Sequence, residues 1–413
     1  MTFSSSSASP HTSSVDTNVW PAVTYEDVPW DVHPVTGMTR RDRVMIGCPY
    51  RASVPAMIAD LDVVLPGRVS AAAEESATAM REFDTRQGSE IAPFAAILLR
   101  SESASSSQIE QLSASARKIA EAELTGASTG HAGAIVGNVR AMTAALALAD
   151  NVDAGAILAM HDALMHQTAP EIAGRWRTDQ VWIGGRAVFG MGSSHDADFV
   201  PPIAHRVPEL IADLVSFSVR ADVPGVAQAA ISHAQFETIH PFPDGNGRTG
   251  RAFLHAMLRA RGIARQVSVP ISSGLLADTQ GYFDALTAYR DGDISPIVSC
   301  VSRAALIGVD NGTRLIADLD DVRQRWRDQL TGLRSDSAAR RLAEGLFLHP
   351  VISAPVAREI LGIGKNEHRY IDVLLDRGIL RQDQGHKARN LTWRAQDVLD
   401  ALDAYARRTG RRS

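Results

Sequence analysis

The sequence predicts a mainly α-helical protein, with one small β-hairpin set into the helical core and a separate helix-and-hairpin unit at its C-terminal end. Three observations carry this. Apolar residues recur at three- and four-residue spacing in stretches between Val44 and Leu333. Period-two alternation is confined to two short places, residues 181–189 and 379–393. The charge balance also changes sign: residues 338–413 hold 14 Lys+Arg and 9 Asp+Glu, a net of +5, which leaves −10 for the remainder of a chain whose total is −5.

The elements follow in order. Met1–Ser14 is Ser-rich and the first basic residue is Arg40, a pattern unlike a signal peptide, so residues 1–30 read as a disordered tail. Residues 31–126 read as an N-terminal helical region, periodic from about Val44 to Gly126. The core spans 127–310. In it, Asn138–Ala149 and Ala154–Met165 are helices. Val181-Trp182-Ile183, Gly184-Gly185 and Arg186-Ala187-Val188-Phe189 form a hairpin on a two-residue turn. Gly225–His240 is Ala-rich and helical, broken by Pro241 and Pro243; a further helix follows Gly247 and ends at Gly262. Residues 311–335 are a connecting helix, with Leu315, Leu319, Val322 and Trp326 on one face.

Residues 336–413 form a different unit. Ala338–Leu348, Ala354–Leu361 and Lys365–Arg377 are helices, and Ile379–Arg381 with Leu391–Trp393 are two strands around a polar turn. That order resembles a winged helix, with Lys365, His368 and Arg369 facing outward. Nucleic-acid contact is compatible with a net of +5, although four of the arginines lie after Ala406. A protein-docking role is the favoured reading, and a structural appendage is the third.

One segment concentrates the chemistry. Residues 240–251 read HPFPDGNGRTGR. Arg248 and Arg251 sit in the first turn of the following helix, where the macrodipole disfavours each cation by roughly 0.3–1 kcal/mol. Two arginines placed there imply an anion between them, and phosphate is the obvious candidate. Gly245–Gly250 formally matches G-x-G-x-x-G, yet a broken helix precedes it rather than a strand, and Arg259, Arg261 and Arg265 occupy the region where an acidic residue is needed. No P-loop motif occurs. The plain alternative is a Pro/Gly loop between core helices with His240 as a cationic C-cap. His233, Glu237 and His240 share helical spacing, but a carboxylate-bridged metal site needs a second Glu-x-x-His that the chain lacks. His233 and Glu237 therefore read as a polar pair holding the base of the loop.

The segment matches every defined position of His-Pro-Phe-x-(Asp/Glu)-Gly-Asn-Gly-Arg-x-x-Arg, and on that motif the chain resembles the Fic (filamentation-induced-by-cAMP) family. The resemblance extends loosely from Tyr50 to Ser302, including Ala234–Ile239. It implies a helical core that transfers AMP from ATP to a Ser, Thr or Tyr hydroxyl of a target protein. His240 then resembles the general base, for which an ordinary imidazole suits neutral pH. Asp244 resembles the ligand of Mg²⁺ (or Mn²⁺). The backbone of Gly245, Asn246 and Gly247 would form an anion nest. Arg248 and Arg251 would clamp the β- and γ-phosphates, and Phe242 would anchor the loop in the core.

Two further sites follow from the resemblance. Ser106-Ser107-Gln108-Ile109-Glu110 fits the family's inhibitory (Ser/Thr)-x-x-x-Glu-(Gly/Asn) helix, whose glutamate pairs with the motif's second arginine, here Arg251, and takes it from the γ-phosphate. Gln111 departs from the expected Gly or Asn. Read without the resemblance, Ser107-x-x-Glu110 is a capping box opening a helix that runs to about Leu124. The hairpin at Val181, Trp182, Ile183 and Gly184 resembles the flap that pairs with a target's backbone; the bland reading is a cover for the core. Tyr282 and Tyr289, seven apart on one helical face, fit either an adenine pocket or core aromatics.

The whole-chain quantities bound the rest. A length of 413 residues suits two or three domains, and 45% hydrophobic with 22% charged residues is ordinary for a globular protein. Cys48 and Cys300 have no metal spacing, which suits a reducing cytosol; no apolar run approaches a membrane span. The expectation is thus a cytoplasmic protein AMP-transferase restrained by Glu110. The same fold removing AMP or moving another phosphate-containing group is an alternative, as is a DNA-binding regulator with a nucleotide-sensing core. Self-modification and a homodimer stay open, and no membrane partner is expected.

Overall fold

The helix Gly225–Ile239 has no polar face to offer solvent: every residue from Val226 to Ile239 is buried. A helix covered all round must be central. Val207–Ser218, Asn246–Ala260, Gly67–Gln87, Thr279–Arg290 and Ser295–Gln329 all pack on it. A computed structural model describes residues 20–30, 47–87, 94–184, 197–382 and 391–410. The expected mainly helical architecture is what it shows.

Asn246–Ala260 also touches Gly130–Ala147, Ala154–Met165 and Ala95–Ile109, so the helix that follows the motif sits among four others. Ala95–Ile109 has an unusual buried face. Ser101, Glu102, Ser103, Ser105, Ser106 and Ser107 are all buried in its middle and last turns, with Phe94, Ile97, Leu98 and Ile109 supplying apolar contacts toward its two ends. Glu102 is satisfied inside the protein: it meets His255 at 2.9 Å and accepts from the Ser272 amide and hydroxyl at 2.9 and 2.5 Å.

The expected connecting helix is longer than read. It runs from Ser295 to Gln329, roughly 52 Å at 1.5 Å per residue, and its first half belongs to the core. Ile297, Val298, Val301 and Ala305 continue the apolar stripe backward from Asn311. Its far half meets Gln396–Arg408, a terminal helix that the sequence reading did not anticipate. Trp326 donates to Asp397 at 3.0 Å and Arg408 pairs with Asp318 at 2.7 Å across that contact.

Two expectations are corrected near the start. The N-terminal region is not wholly helical: Thr24–Val28 pairs antiparallel with Tyr50–Val54, from Thr24↔Val54 to Val28↔Tyr50. Exposed Arg51 between buried Tyr50 and Ala52 is a true alternation, but too short to read alone. The tail drawn to residue 30 also ends earlier. Trp20 is buried, with its ring 6.4 Å from Phe217 and 6.0 Å from Tyr289. The stretch Met1–Ser14 lies outside the described residues.

Beyond residue 337, helices Ala338–Leu348, Ala354–Leu361 and His368–Asp376 surround a three-stranded antiparallel sheet. Thr392–Arg394 is its central strand, flanked by Val351–Ser353 and Arg381–Gln382. Val351–Ser353 was missed because three residues carry no readable period. Lys365, His368 and Arg369 are exposed. The polar turn at 383–389 lies outside the described residues. No described helix is long and apolar enough to cross a membrane.

Candidate functional site

The loop between Gly225–Ile239 and Asn246–Ala260 is held from within. Asn246 donates to the Phe242 carbonyl and accepts from the Phe242 amide, both at 2.8 Å, closing the loop on itself. Phe242 is fully buried and stacks on His161, with ring centroids 3.7 Å apart and planes at 6°, and on Trp176 at 5.0 Å. His161 receives the Gly174 amide on Nδ1, while Nε2 meets the Asp244 carbonyl at 3.1 Å; burial pushes its pKa down to about 4. Gly245 turns the chain with φ of 76°, and the helix begins at Asn246. The first amides of a helix have no intrahelical partner, so those of Asn246 and Gly247 remain available to an anion.

His240 ends the preceding helix in a left-handed conformation, φ 50° and ψ 63°. Its carbonyl accepts from Arg177 Nε at 2.8 Å, and the same buried guanidinium donates to the carbonyls of Asp179 and Pro202. Arg177 was missed by the sequence reading; nothing in Trp176-Arg177-Thr178 marks it as buried. The imidazole does not keep the ordinary pKa expected of it. Burial, reinforced by Arg177 and Arg290, pushes it down to about 3, so it is neutral and no cationic cap.

Glu110 decides the electrostatics. The helix Ala95–Ile109 ends at that residue, so no capping box opens here; the next helix, Ala116–Thr125, is capped by Ser115. Released from capping, Glu110 reaches both motif arginines: Oε2 takes Arg248 Nε at 2.7 Å and Oε1 takes Arg251 Nη2 at 2.8 Å. The resemblance implied only the second. Ser106 completes the hold on Arg251, its hydroxyl and carbonyl accepting at 2.8 and 2.9 Å. Burial works against the Arg251 charge, yet Glu110 raises its pKa above the ordinary value. The carboxylate lies directly over Gly247, where a Cβ would stand 2.6 Å from Oε1. Gln111 adopts φ of 63°, which accounts for Gly or Asn in that place of the signature: left-handed backbone strains other L-residues by roughly 1–2 kcal/mol.

These groups border a cavity of about 680 Å³ whose lining includes Glu110, Glu237, His240, Asp244, Gly247 and Arg251. Arg248 is almost wholly buried behind Glu110. Asp244 is 65% exposed and lies 3.6 Å from Arg248. No cluster of three or more His, Cys, Asp or Glu among the described residues is placed to hold a metal ion. His233 and Glu237 are not the expected pair: His233 Nε2 shares a 2.7 Å hydrogen bond with the Tyr282 hydroxyl, and burial pushes the Glu237 pKa up to about 7.

The far wall corrects two more expectations. Tyr282 lines the cavity, whereas Tyr289 is core, donating to Gln235 at 2.8 Å. Phe283, 45% exposed, and Gln280 stand on the cavity side, where no helical spacing in the sequence marks them. Ile183 is not in the hairpin as drawn. Its amide donates to the Phe199 carbonyl at 2.8 Å and its carbonyl accepts from the Phe199 amide at 3.2 Å, where a turn at Gly184-Gly185 would have paired it with Arg186. Trp182 packs beside Trp30, Tyr50 and Val200; residues 186–189 lie outside the described residues.

Comparison with known proteins fits this geometry. Residues 151–258, which contain the whole 240–251 loop, match the Fic/DOC family. It is 28% identical over 211 residues to a probable protein adenylyltransferase of Aquifex aeolicus, covering 50% of this chain and 61% of that protein. It is 31% identical over 151 residues to protein adenylyltransferase fic-1 of Caenorhabditis briggsae, covering 36% of this chain and 26% of that one. The chain thus spans less than two thirds of either relative. Among solved structures, a Fic family protein from Desulfovibrio desulfuricans aligns over 81% of this chain and 97% of that one, at 21% identity and a TM-score of 0.48.

Proposed function

We propose that this protein transfers AMP from ATP to a hydroxyl side chain of a protein, and that Glu110 restrains it. The observation that carries the reading is the position of the Glu110 carboxylate. It bridges Arg248 and Arg251 directly over Gly247, at the N-terminus of the helix whose first amides suit phosphate. A carboxylate held by two guanidiniums occupies the charge position that a phosphate would take.

On this reading the triphosphate lies along Gly245–Gly247 with Arg251 toward its end. Nε2 of His240 accepts the proton of the target hydroxyl. The oxygen forms its bond to the α-phosphorus as the bond to the β-phosphate oxygen breaks, and pyrophosphate leaves. Catalysis is then mainly placement and charge. Asp244, a solvent-facing carboxylate beside the first helical turn, fits a hard divalent cation such as Mg²⁺ whose remaining ligands are phosphate oxygens and water. Bound there, such an ion would offset phosphate charge. Ile183, with Asp198 and Phe199, borders the cavity where a target segment would approach.

Label transfer from ATP carrying labelled α-phosphate tests the reading, with self-labelling included. The expected result is weak transfer by the wild type, strong transfer by Glu110→Gly, and none by Glu110→Gly with His240→Ala. Equal labelling by the single and double variants would sink it.

A further inference from the structure

We infer that Glu237 positions His240: its side-chain carboxylate holds the Nδ1 side of the imidazole, leaving Nε2 turned to the target hydroxyl with its lone pair free. The inference rests on the transfer reading above, and Glu237 acts through His240 rather than on the substrate.

The two residues stand three apart across the end of one helix, with Glu237 Oε2 4.0 Å from His240 Nδ1. Each also has an unmet need. His240 Nδ1 and Glu237 Oε1 are buried without a hydrogen-bond partner. Buried polar atoms in native proteins nearly always have one. Oε1 lies toward Gly250 and Oε2 is the oxygen nearer Nδ1, so a small turn of the side chain would bring a carboxylate oxygen to the ring. Catalytic hydrogen bonds are often long before substrate binds.

The neighbouring helix approaches this carboxylate closely. At Gly250 a Cβ would stand 2.9 Å from both Glu237 Oε1 and Phe236 Cδ1, so a larger residue there would press on the carboxylate and on the ring beside it. The motif thus leaves room for Glu237 as it leaves room for Glu110 at Gly247.

Charge gives the need. Burial, Arg177 and Arg290 all disfavour a proton on His240, and an imidazole pushed to about 3 is a poor acceptor. Glu237 feels burial, which raises its pKa, then Arg251 and Arg290, which lower it, and Glu110, which raises it. An adjacent carboxylate stabilises the imidazolium that forms as the hydroxyl proton reaches Nε2, and it fixes the tautomer beforehand. The backbone carbonyl of Glu237 also lies by the ring, so the test must change the side chain alone.

The full chain carrying Glu110→Gly is the parent, assayed with α-labelled ATP across pH. Glu237→Gln keeps the shape and removes the negative charge. The expected result is kcat lower by roughly 10- to 100-fold, KM for ATP within about two-fold, and loss of the acidic limb of the rate profile near pH 7, where Glu237 takes up its proton in the parent. An unmoved limb with unchanged kcat overturns the inference, as does a raised KM with kcat intact. ¹⁵N-imidazole NMR of His240 in the same two proteins is the second readout. A protonated Nδ1 in the parent that is lost or redistributed in Glu237→Gln supports the inference, and identical ring spectra overturn it. If the parent transfers no label, the transfer reading fails, and the NMR comparison still decides the role of Glu237.

Discussion

Glu110 and Arg251 lie 141 residues apart in sequence and meet at 2.8 Å, where a helix end reaches the second turn of Asn246–Ala260 rather than the first turn expected for this arginine. The arginine is buried to 3% side-chain exposure and the glutamate to 28%. An arginine so buried depends on its anion, and removing one partner leaves the other's charge uncompensated.

Glu110→Gly should therefore melt at a lower temperature than the wild type when ATP is absent. Added Mg²⁺-ATP should raise its Tm more than it raises that of the wild type, because phosphate then replaces the lost carboxylate. Differential scanning fluorimetry checks this; an equal ATP shift in both proteins would count against competition for Arg251.

Gln111→Gly should strengthen the restraint. Gln111 holds φ of 63° directly after Glu110, and relieving that strain should stabilise the protein by about 1 kcal/mol. Residual wild-type label transfer should fall, and a rise in transfer would contradict the argument.

Asn246→Ala should cost roughly 1–3 kcal/mol, since the buried Phe242 amide and carbonyl both lose their partner. Chemical denaturation measures the stability, and ATP affinity should drop with it because the loop loses its closure.

His233 sets a pH dependence. Its pKa is pushed down to about 3, chiefly by burial, from 6.5. The unfolded chain binds the proton that the folded one refuses, so its contribution is fully present above pH 6.5 and is lost as pH falls toward 3. The slope approaches about 1.4 kcal/mol per pH unit for one fully differing proton. His233→Gln should flatten stability between those limits, as denaturation at several pH values would reveal.

Phe283→Ala and Tyr289→Phe should part company. Phe283 borders the cavity, so its loss should raise KM for ATP; Tyr289 bonds Gln235 in the core, so its change should lower Tm and leave KM alone.

The helical class and the 240–251 loop were legible because glycines, prolines and paired arginines leave a dense local signal. The left-handed turn at Gly245 is of that kind. What escaped is non-local. Arg177 becomes significant only when four separate carbonyls surround it, and Thr24–Val28 only when Tyr50–Val54 lies beside it. Glu110 was ambiguous for a related reason. Ser107-x-x-Glu110 fits a helix start as well as a helix end, and the packing of Ser101–Ser107 against the core decides for the end.

That serine face has a consequence for how the glutamate is let go. A strip of leucines would make detachment resemble unfolding, because each would carry apolar surface into water. Hydroxyl groups rehydrate readily, so the middle of the strip resists solvent far less than its two greasy ends. Water admitted along it would loosen the segment next to Arg251 while the central Gly225–Ile239 helix stays dry. Amide hydrogen exchange should then register Ser103–Glu110 as a separate, shallower opening unit than that helix.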